Sequence, residues 1–155
     1  MTNTADLAWM EKAIELSRLC PPSEGAYSVG AVIIDGDGNE ISNGYSRETD
    51  PHDHAEEAAL AKLAEDDPRL SGATLYSTLE PCSQRRSRTL TCTDLVLRAK
   101  IGRVVIAWRE PDLFVDDCVG VERLRTAGVS VVELPELADK ARAVNTHLSG
   151  IDSEQ

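Results

Sequence analysis

Apolar residues recur at helical spacing near the start of the chain. Leu7, Met10 and Ile14 fall on one line, and Trp9, Ala13 and Leu16 on its neighbour. This predicts a helix over residues 5 to 19 with a broad buried face. Pro21-Pro22 stops it, because proline cannot continue the backbone hydrogen-bond ladder. Ser28 to Ile34 is short, β-branched and nearly all apolar, and Glu40 to Tyr45 reads as its partner strand. The polar, glycine-rich Asp35-Gly36-Asp37-Gly38-Asn39 between them is a turn, so the pair predicts a hairpin.

The alternation then changes period. An alanine-rich helix is expected over His54 to Glu65, with Asp53 in the N-cap position. Ala73 to Thr78 reads as a strand, and Leu79-Glu80-Pro81-Cys82 as the turn that leaves it. A helix is expected from about Cys92 to Ala99, a buried strand over Arg103 to Trp108, and a helix over Asp117 to Ala127. A strand over Val129 to Leu134 and a closing helix over roughly Glu136 to Leu148 follow. Strands alternating with helices imply crossover connections. They predict a largely parallel sheet, covered on both faces, apart from the opening hairpin. The expected fold is α/β with three layers, α/β/α, around a five-stranded mixed sheet. One domain is expected over residues 1 to 155, since the chain shows no repeat, low-complexity segment or linker.

Composition narrows the possible partners. A net charge of −11 is poorly suited to binding nucleic acid, whose affinity comes largely from Lys and Arg on phosphates. Arg85, Arg86 and Arg88 form one local exception, enough for a single small anion and too little for a nucleic-acid track. A solvated loop is an equal reading of that cluster. No apolar run approaches the roughly 20 residues that span a bilayer, and the N-terminus lacks the basic start and apolar stretch of a signal peptide. A cytoplasmic protein acting on a small molecule, without nucleic-acid or membrane partners, is expected.

Four cysteines, at 20, 82, 92 and 118, are few for a disulfide scaffold. Cys82 and Cys92 gain meaning beside His54-Ala55-Glu56. One imidazole and two thiols make a three-ligand zinc site with an open fourth position, and Glu56 is placed to move protons. His-x-Glu, then Pro-Cys and a further Cys, is the pattern of zinc-dependent nucleobase deaminases. The predicted elements bring His54, Cys82 and Cys92 to one sheet edge: a helix start, a strand exit and a second helix start. Taken singly, each residue has a bland reading, as a solvated histidine or a buried small thiol. Cys20 and Cys118 are read as structural, His52 as a loop residue near the site mouth and His147 as a surface residue.

The spacing carries more. Nine residues separate Cys82 from Cys92, where the usual signature has two. With Gly72-Ala73-Thr74-Leu75-Tyr76-Ser77-Thr78-Leu79-Glu80-Pro81-Cys82-Ser83 and Arg88-Thr89-Leu90-Thr91-Cys92, the chain resembles the pyrimidine deaminase domain of riboflavin biosynthesis, in the cytidine deaminase superfamily. Val29 to Ile33, Gly44-Tyr45, Arg103 to Ala107 and Ala141 to Asn145 extend the likeness. The resemblance implies a zinc-dependent hydrolase that replaces the 2-amino group of a diaminopyrimidinone ribosyl phosphate by oxygen and releases ammonia. It implies zinc on His54, Cys82 and Cys92, Glu56 as proton carrier, and a homo-oligomer, expected to be a dimer. Substrate contacts are expected at Ala26, Asn43, Ala55, Arg85, Arg86, Arg88 and Asp112, and a stand-alone deaminase without the reductase domain is expected.

Several positions depart from that pattern. Gly25-Ala26-Tyr27 stands where the family has Pro-Asn-Pro, and Gln84-Arg85-Arg86-Ser87 lies in a loop typically rich in histidine, glycine and proline. Glu110-Pro111-Asp112-Leu113 replaces Asp-Pro-Asn-Pro. Two alternatives therefore stay open. One is a deaminase of a free nucleoside, a nucleobase or a specialised natural product; the other is a zinc-stabilised binding module without catalysis.

Overall fold

The computed structural model describes residues 4–23, 25–83, 89–109 and 119–148. Five strands, β1 (Gly30–Ile34), β2 (Glu40–Tyr45), β3 (Thr74–Leu79), β4 (Arg103–Trp108) and β5 (Ser130–Glu133), alternate with five helices. These are α1 (Thr4–Ser17), α2 (Ala55–Ala61), α3 (Cys92–Ala99), α4 (Gly120–Thr126) and α5 (Ala138–Ala143). The strands form one sheet in the order β2-β1-β3-β4-β5. β1 pairs antiparallel with both β2 and β3, while β3, β4 and β5 pair in parallel. Four strands thus share a direction and β1 alone opposes them, which is the mixed sheet expected from the hairpin followed by crossovers. Helices α1 and α5 pack on one face, and α2, α3 and α4 on the other.

Local chemistry explains where elements start later or stop sooner than their apolar pattern. Ser28 and Val29 do not extend β1, because side chains take their amides: Ser28 N–H donates to Asn145 Oδ1 at 2.6 Å and Val29 N–H to Ser46 Oγ at 2.9 Å. The closing helix is short and follows a 3₁₀ turn at Pro135–Leu137. His54, not Asp53, is the N-cap of α2, with extended dihedrals of φ −90° and ψ 159°. The Asp53 carboxylate instead accepts from the Thr49 hydroxyl at 2.8 Å. Glu57, three residues into the turn, returns its side chain to the His54 amide at 3.2 Å, the reciprocal half of a capping box.

The alanines of α2 permit an unusually close approach to the sheet. Ala55, Ala58 and Ala59 are buried, and Ser42 Oγ donates to Ala59 O at 2.6 Å. A side chain at Gly44 would lie 2.6 Å from Ala59 N and 2.7 Å from Ala55 O, so only glycine fits in β2 at that point. Because α2 is pressed this close, its first turn stands directly over the sheet edge.

On the opposite face, α1 is anchored by a buried carboxylate. Asp6 is 1% exposed and accepts from Tyr76 Oη at 2.6 Å and from Arg103 Nη1 and Nη2 at 2.9 and 2.7 Å. Burial and the hydrogen bond to Asp6 push the Tyr76 phenol up to about 12, so it stays a donor. Removing one partner of a buried ion pair leaves an uncompensated charge. Arg103→Leu is therefore expected to cost about 3 kcal/mol in urea unfolding; a loss below about 1 kcal/mol contradicts the anchor's importance.

Candidate metal centre and active site

Three elements deliver the sulfur and nitrogen donors. His54 caps α2, Cys92 is the first residue of α3, and Cys82 lies three residues beyond the end of β3. Thr91 starts α3 through a capping box: its hydroxyl accepts from Asp94 N–H at 3.2 Å, and the Asp94 carboxylate accepts from Thr91 N–H at 3.0 Å. That cap aims Cys92 back toward the strand exit. Thr93 ties the two cysteines together, donating its N–H to Cys82 O at 3.0 Å and its hydroxyl to Pro81 O at 3.2 Å.

The outcome is a compact donor set. His54 Nδ1 lies 3.5 Å from Cys82 Sγ and 3.3 Å from Cys92 Sγ, and the three ligand atoms lie within 4.8 Å of one another. A tetrahedral zinc ion holds a histidine nitrogen and a thiolate about 3.6 Å apart, so the spacing suits that ion. Cys82 and Cys92 are buried and His54 is partly so. Among the described residues this is the one group of three or more His, Cys, Asp or Glu side chains able to hold a metal.

The surroundings favour a thiolate at Cys82. Cys92 N–H donates to Cys82 Sγ at 3.2 Å. Hydrogen bonding from Cys92, and then from His54, outweighs burial and holds the Cys82 thiol down to about 4. Cys20 is the opposite case. Burial pushes its thiol up, although Arg47 pulls the other way, and its Sγ lies 3.5 Å from Val29 O. It behaves as a packed structural thiol, as its isolation in the sequence suggests.

Glu56 sits in the first turn of α2, two residues from His54, and is only 3% exposed. Ala55 beside it is fully buried. Ala26 precedes β1, and its carbonyl lies 3.4 Å from His147 Nε2. Asn43 is turned away from the centre: its Nδ2 donates to Glu40 Oε2 at 2.8 Å, on the sheet face opposite the one where Ser42 and Gly44 meet α2. The alternation along β2 decides the matter, because Ser42 and Gly44 take the α2 face. Arg85, Arg86, Arg88, Asp112 and Cys118 lie outside the described residues. His52 and His147 are exposed.

The supporting roles of Thr91, Thr93 and Asp94 are not among the expectations from the sequence, where Thr91 appears only within the Arg88 to Cys92 motif. The Thr-x-x-Asp pattern over residues 91 to 94 resembles a capping box and was their one local signal; the contact of Thr93 with Pro81 had none.

With this geometry in place, the likeness to known proteins is specific. Residues 3–108 match the family model described as the cytidine and deoxycytidylate deaminase zinc-binding region. The diaminohydroxyphosphoribosylamino-pyrimidine deaminase of Schizosaccharomyces pombe is 45% identical over 127 residues, 81% of this chain and 31% of that protein. The chain thus spans about a third of the length of the curated relatives it matches. RibD of Acinetobacter baumannii superposes with a TM-score of 0.77 at 34% identity, covering 91% of this chain and 38% of that one. The Aspergillus oryzae Rib2 deaminase, solved in complex with DARIPP, shares the fold, with a TM-score of 0.78 at 22% identity over 91% and 90% of the two chains. The chain belongs to the cytidine and deoxycytidylate deaminase zinc-binding family.

Proposed function

We propose that this protein is a zinc-dependent aminohydrolase that deaminates a diaminopyrimidinone ribosyl phosphate of the riboflavin-precursor type. The observation that carries the reading is the close-set His54, Cys82 and Cys92 donor group with the buried Glu56 carboxyl two residues from its histidine. The substrate class is supported by the 45% identity to the Schizosaccharomyces pombe pyrimidine deaminase. In this reading His54, Cys82 and Cys92 hold the zinc. Three protein ligands leave a fourth position for water, the arrangement of catalytic sites and not of closed structural ones.

Bound zinc supplies the Lewis acidity that makes water nucleophilic at neutral pH. The chain's own groups do the rest. A Glu56 carboxylate oxygen accepts a proton from the attacking water as its oxygen bonds to the ring carbon bearing the amine. Glu56 passes that proton to the ring nitrogen beside the attacked carbon, then takes the remaining hydroxyl proton and delivers it to the amine, so that ammonia leaves as the ring carbonyl forms. One water is consumed, one C–N bond breaks and one C–O bond forms. A carboxyl group as buried as Glu56, at 3% exposure, suits both transfers because bulk water has little access to it.

Association into a homodimer and a cytoplasmic location are part of the same reading. Among the described residues no helix is long and apolar enough to cross a membrane, which is compatible with that location. Ala26, Ala55 and the Arg85, Arg86 and Arg88 cluster are carried as proposed substrate neighbours, the arginines for the phosphate.

Incubating the purified protein with a panel of aminopyrimidines tests the substrate. Ammonia release is expected from the phosphorylated diaminopyrimidinone, and turnover confined to unphosphorylated nucleosides or bases would rule that substrate out. Glu56→Gln is expected to keep its zinc while kcat drops by about 100- to 10,000-fold; undiminished turnover removes Glu56 from the proton path. Metal analysis separates the cysteines. Cys20→Ser is expected to retain one zinc per chain, whereas Cys82→Ser and Cys92→Ser are expected to bind it at least about tenfold more weakly. Equal zinc retention in all three would discard the ligand set.

A further inference from the structure

Helix α4 contributes no donor to the metal centre, yet three successive residues at its start grip the turn that carries Cys82. Val119 N–H donates to Ser83 Oγ at 3.0 Å, and Val121 N–H donates to Glu80 Oε2 at 2.8 Å. Between them, Gly120 packs against the backbone: a Cβ built there would lie 2.1 Å from Pro81 O and 3.2 Å from Glu80 Cγ. No side chain of any size fits between α4 and the turn.

Glu80 is the chemically expensive member of this contact. It is 2% exposed, and burying a carboxylate is unfavourable unless hydrogen bonds and charge compensate it. The amides of a helix's first turn supply both, since they lack intrahelical acceptors and lie at the positive end of the dipole. The backbone of Glu80 is fixed independently, its N–H donating to Trp108 O at 2.9 Å. That bond extends the β3–β4 pairing one residue past Leu79↔Trp108. Glu80 is therefore held at both ends, by β4 through its amide and by α4 through its carboxylate. Cys82, two residues on, begins from a fixed point.

The other side of the turn is held by α3, through Thr93 on Cys82 O and Pro81 O. Helix α4 reaches that element too, because Arg123 Nη2 meets Asp94 Oδ1 at 2.8 Å, and Asp94 caps the helix that starts with Cys92. This ion pair is partly solvated on both sides and is the weaker brace; the Glu80 contact is the buried one.

We propose that Glu80 is a positioning residue for the metal centre: its carboxylate, anchored on the first turn of α4, sets where the Cys82 sulfur meets His54 and Cys92. The inference rests on the zinc reading above. Residues that orient metal ligands typically change metal affinity by about 10- to 100-fold when lost. Glu80 acts here on the turn as a whole.

The test measures transfer of zinc from the loaded protein to a chromogenic chelator, with thermal unfolding recorded in parallel to establish that each variant is folded. Glu80→Ala and Glu80→Asp are expected to release zinc about 10- to 100-fold faster than the parent, the aspartate because it is one methylene too short to reach Val121. Glu80→Gln presents an amide oxygen at the same distance and is expected to stay within about threefold. Arg103→Leu, which loosens α1 on the far face, serves as the stability control and is expected to release zinc at the parental rate.

Zinc release at the parental rate from folded Glu80→Ala and Glu80→Asp overturns the proposal. So does release from Glu80→Gln as fast as from Glu80→Asp, or equal acceleration by Arg103→Leu. Should Glu80→Ala not fold, the aspartate and glutamine variants decide between the same outcomes. A parent protein that takes up no zinc refutes the functional reading itself. A zinc-loaded parent inert toward the pyrimidine refutes only the substrate, and leaves the release comparison intact.

Discussion

The structure depends on bringing three donors from distant parts of the chain to one edge of a sheet and holding them there. His54 is 28 residues from Cys82 and 38 from Cys92, yet their ligand atoms lie within 4.8 Å. Two buried sulfurs and an imidazole in that space have no apolar packing rationale; what they suit is a cation. The surrounding scaffold works toward this convergence. Gly44 and the α2 alanines let α2 press onto the sheet, so that its N-terminus projects over the edge. The Thr91–Asp94 capping box begins α3 at Cys92. The strand exit at Glu80 to Ser83 is gripped between α3 and α4.

Electrostatics follows from the same placement. Both helices that carry donors present their N-terminal ends to the centre, and such ends favour negative charge. Hydrogen bonding from the Cys92 side chain, and then from His54, holds the Cys82 thiol low against its burial, and the Cys92 amide adds to it by donating to the same sulfur. On the opposite face the buried charge is used differently. Asp6 is satisfied by Tyr76 and Arg103, joining α1 to β3 and β4 away from the chemistry. One side of the sheet is thus committed to anchoring and the other to the metal centre.

Much of this was legible along the chain. The order of elements, the hairpin and β2, α3 and β4 stand where the sequence reading puts them: β4 is a nearly continuous apolar run, and β2 follows the Asp35 to Asn39 turn. The donor set was legible through residue type and order, His-x-Glu then Pro-Cys then Cys. What local pattern missed depended on partners distant in sequence. Ser28 and Val29 have strand character, but Asn145 and Ser46 take their amides. Asp53 is a good capping residue by type, yet Thr49 and the extended backbone of His54 shift the cap by one. Asn43 carries no local sign of its partner, and its side chain bonds Glu40 on the face of β2 away from α2.

By itself, the sequence determined the kind of chemistry and the layered architecture. Both are written in local quantities: residue type, apolar period, and the order of ligand-type residues on predicted element ends. Only the tertiary structure decided which atoms meet. His54 Nδ1 faces both sulfurs, Thr93 closes the turn, and an amide at the start of α4 donates to the buried Glu80 carboxylate. The reason is physical. Hydrophobic burial is set by periodicity that a chain carries locally, whereas metal geometry and buried-charge compensation depend on angles and distances between segments tens of residues apart. Those are fixed only when the sheet, through its packed glycines and alanines, brings the segments together.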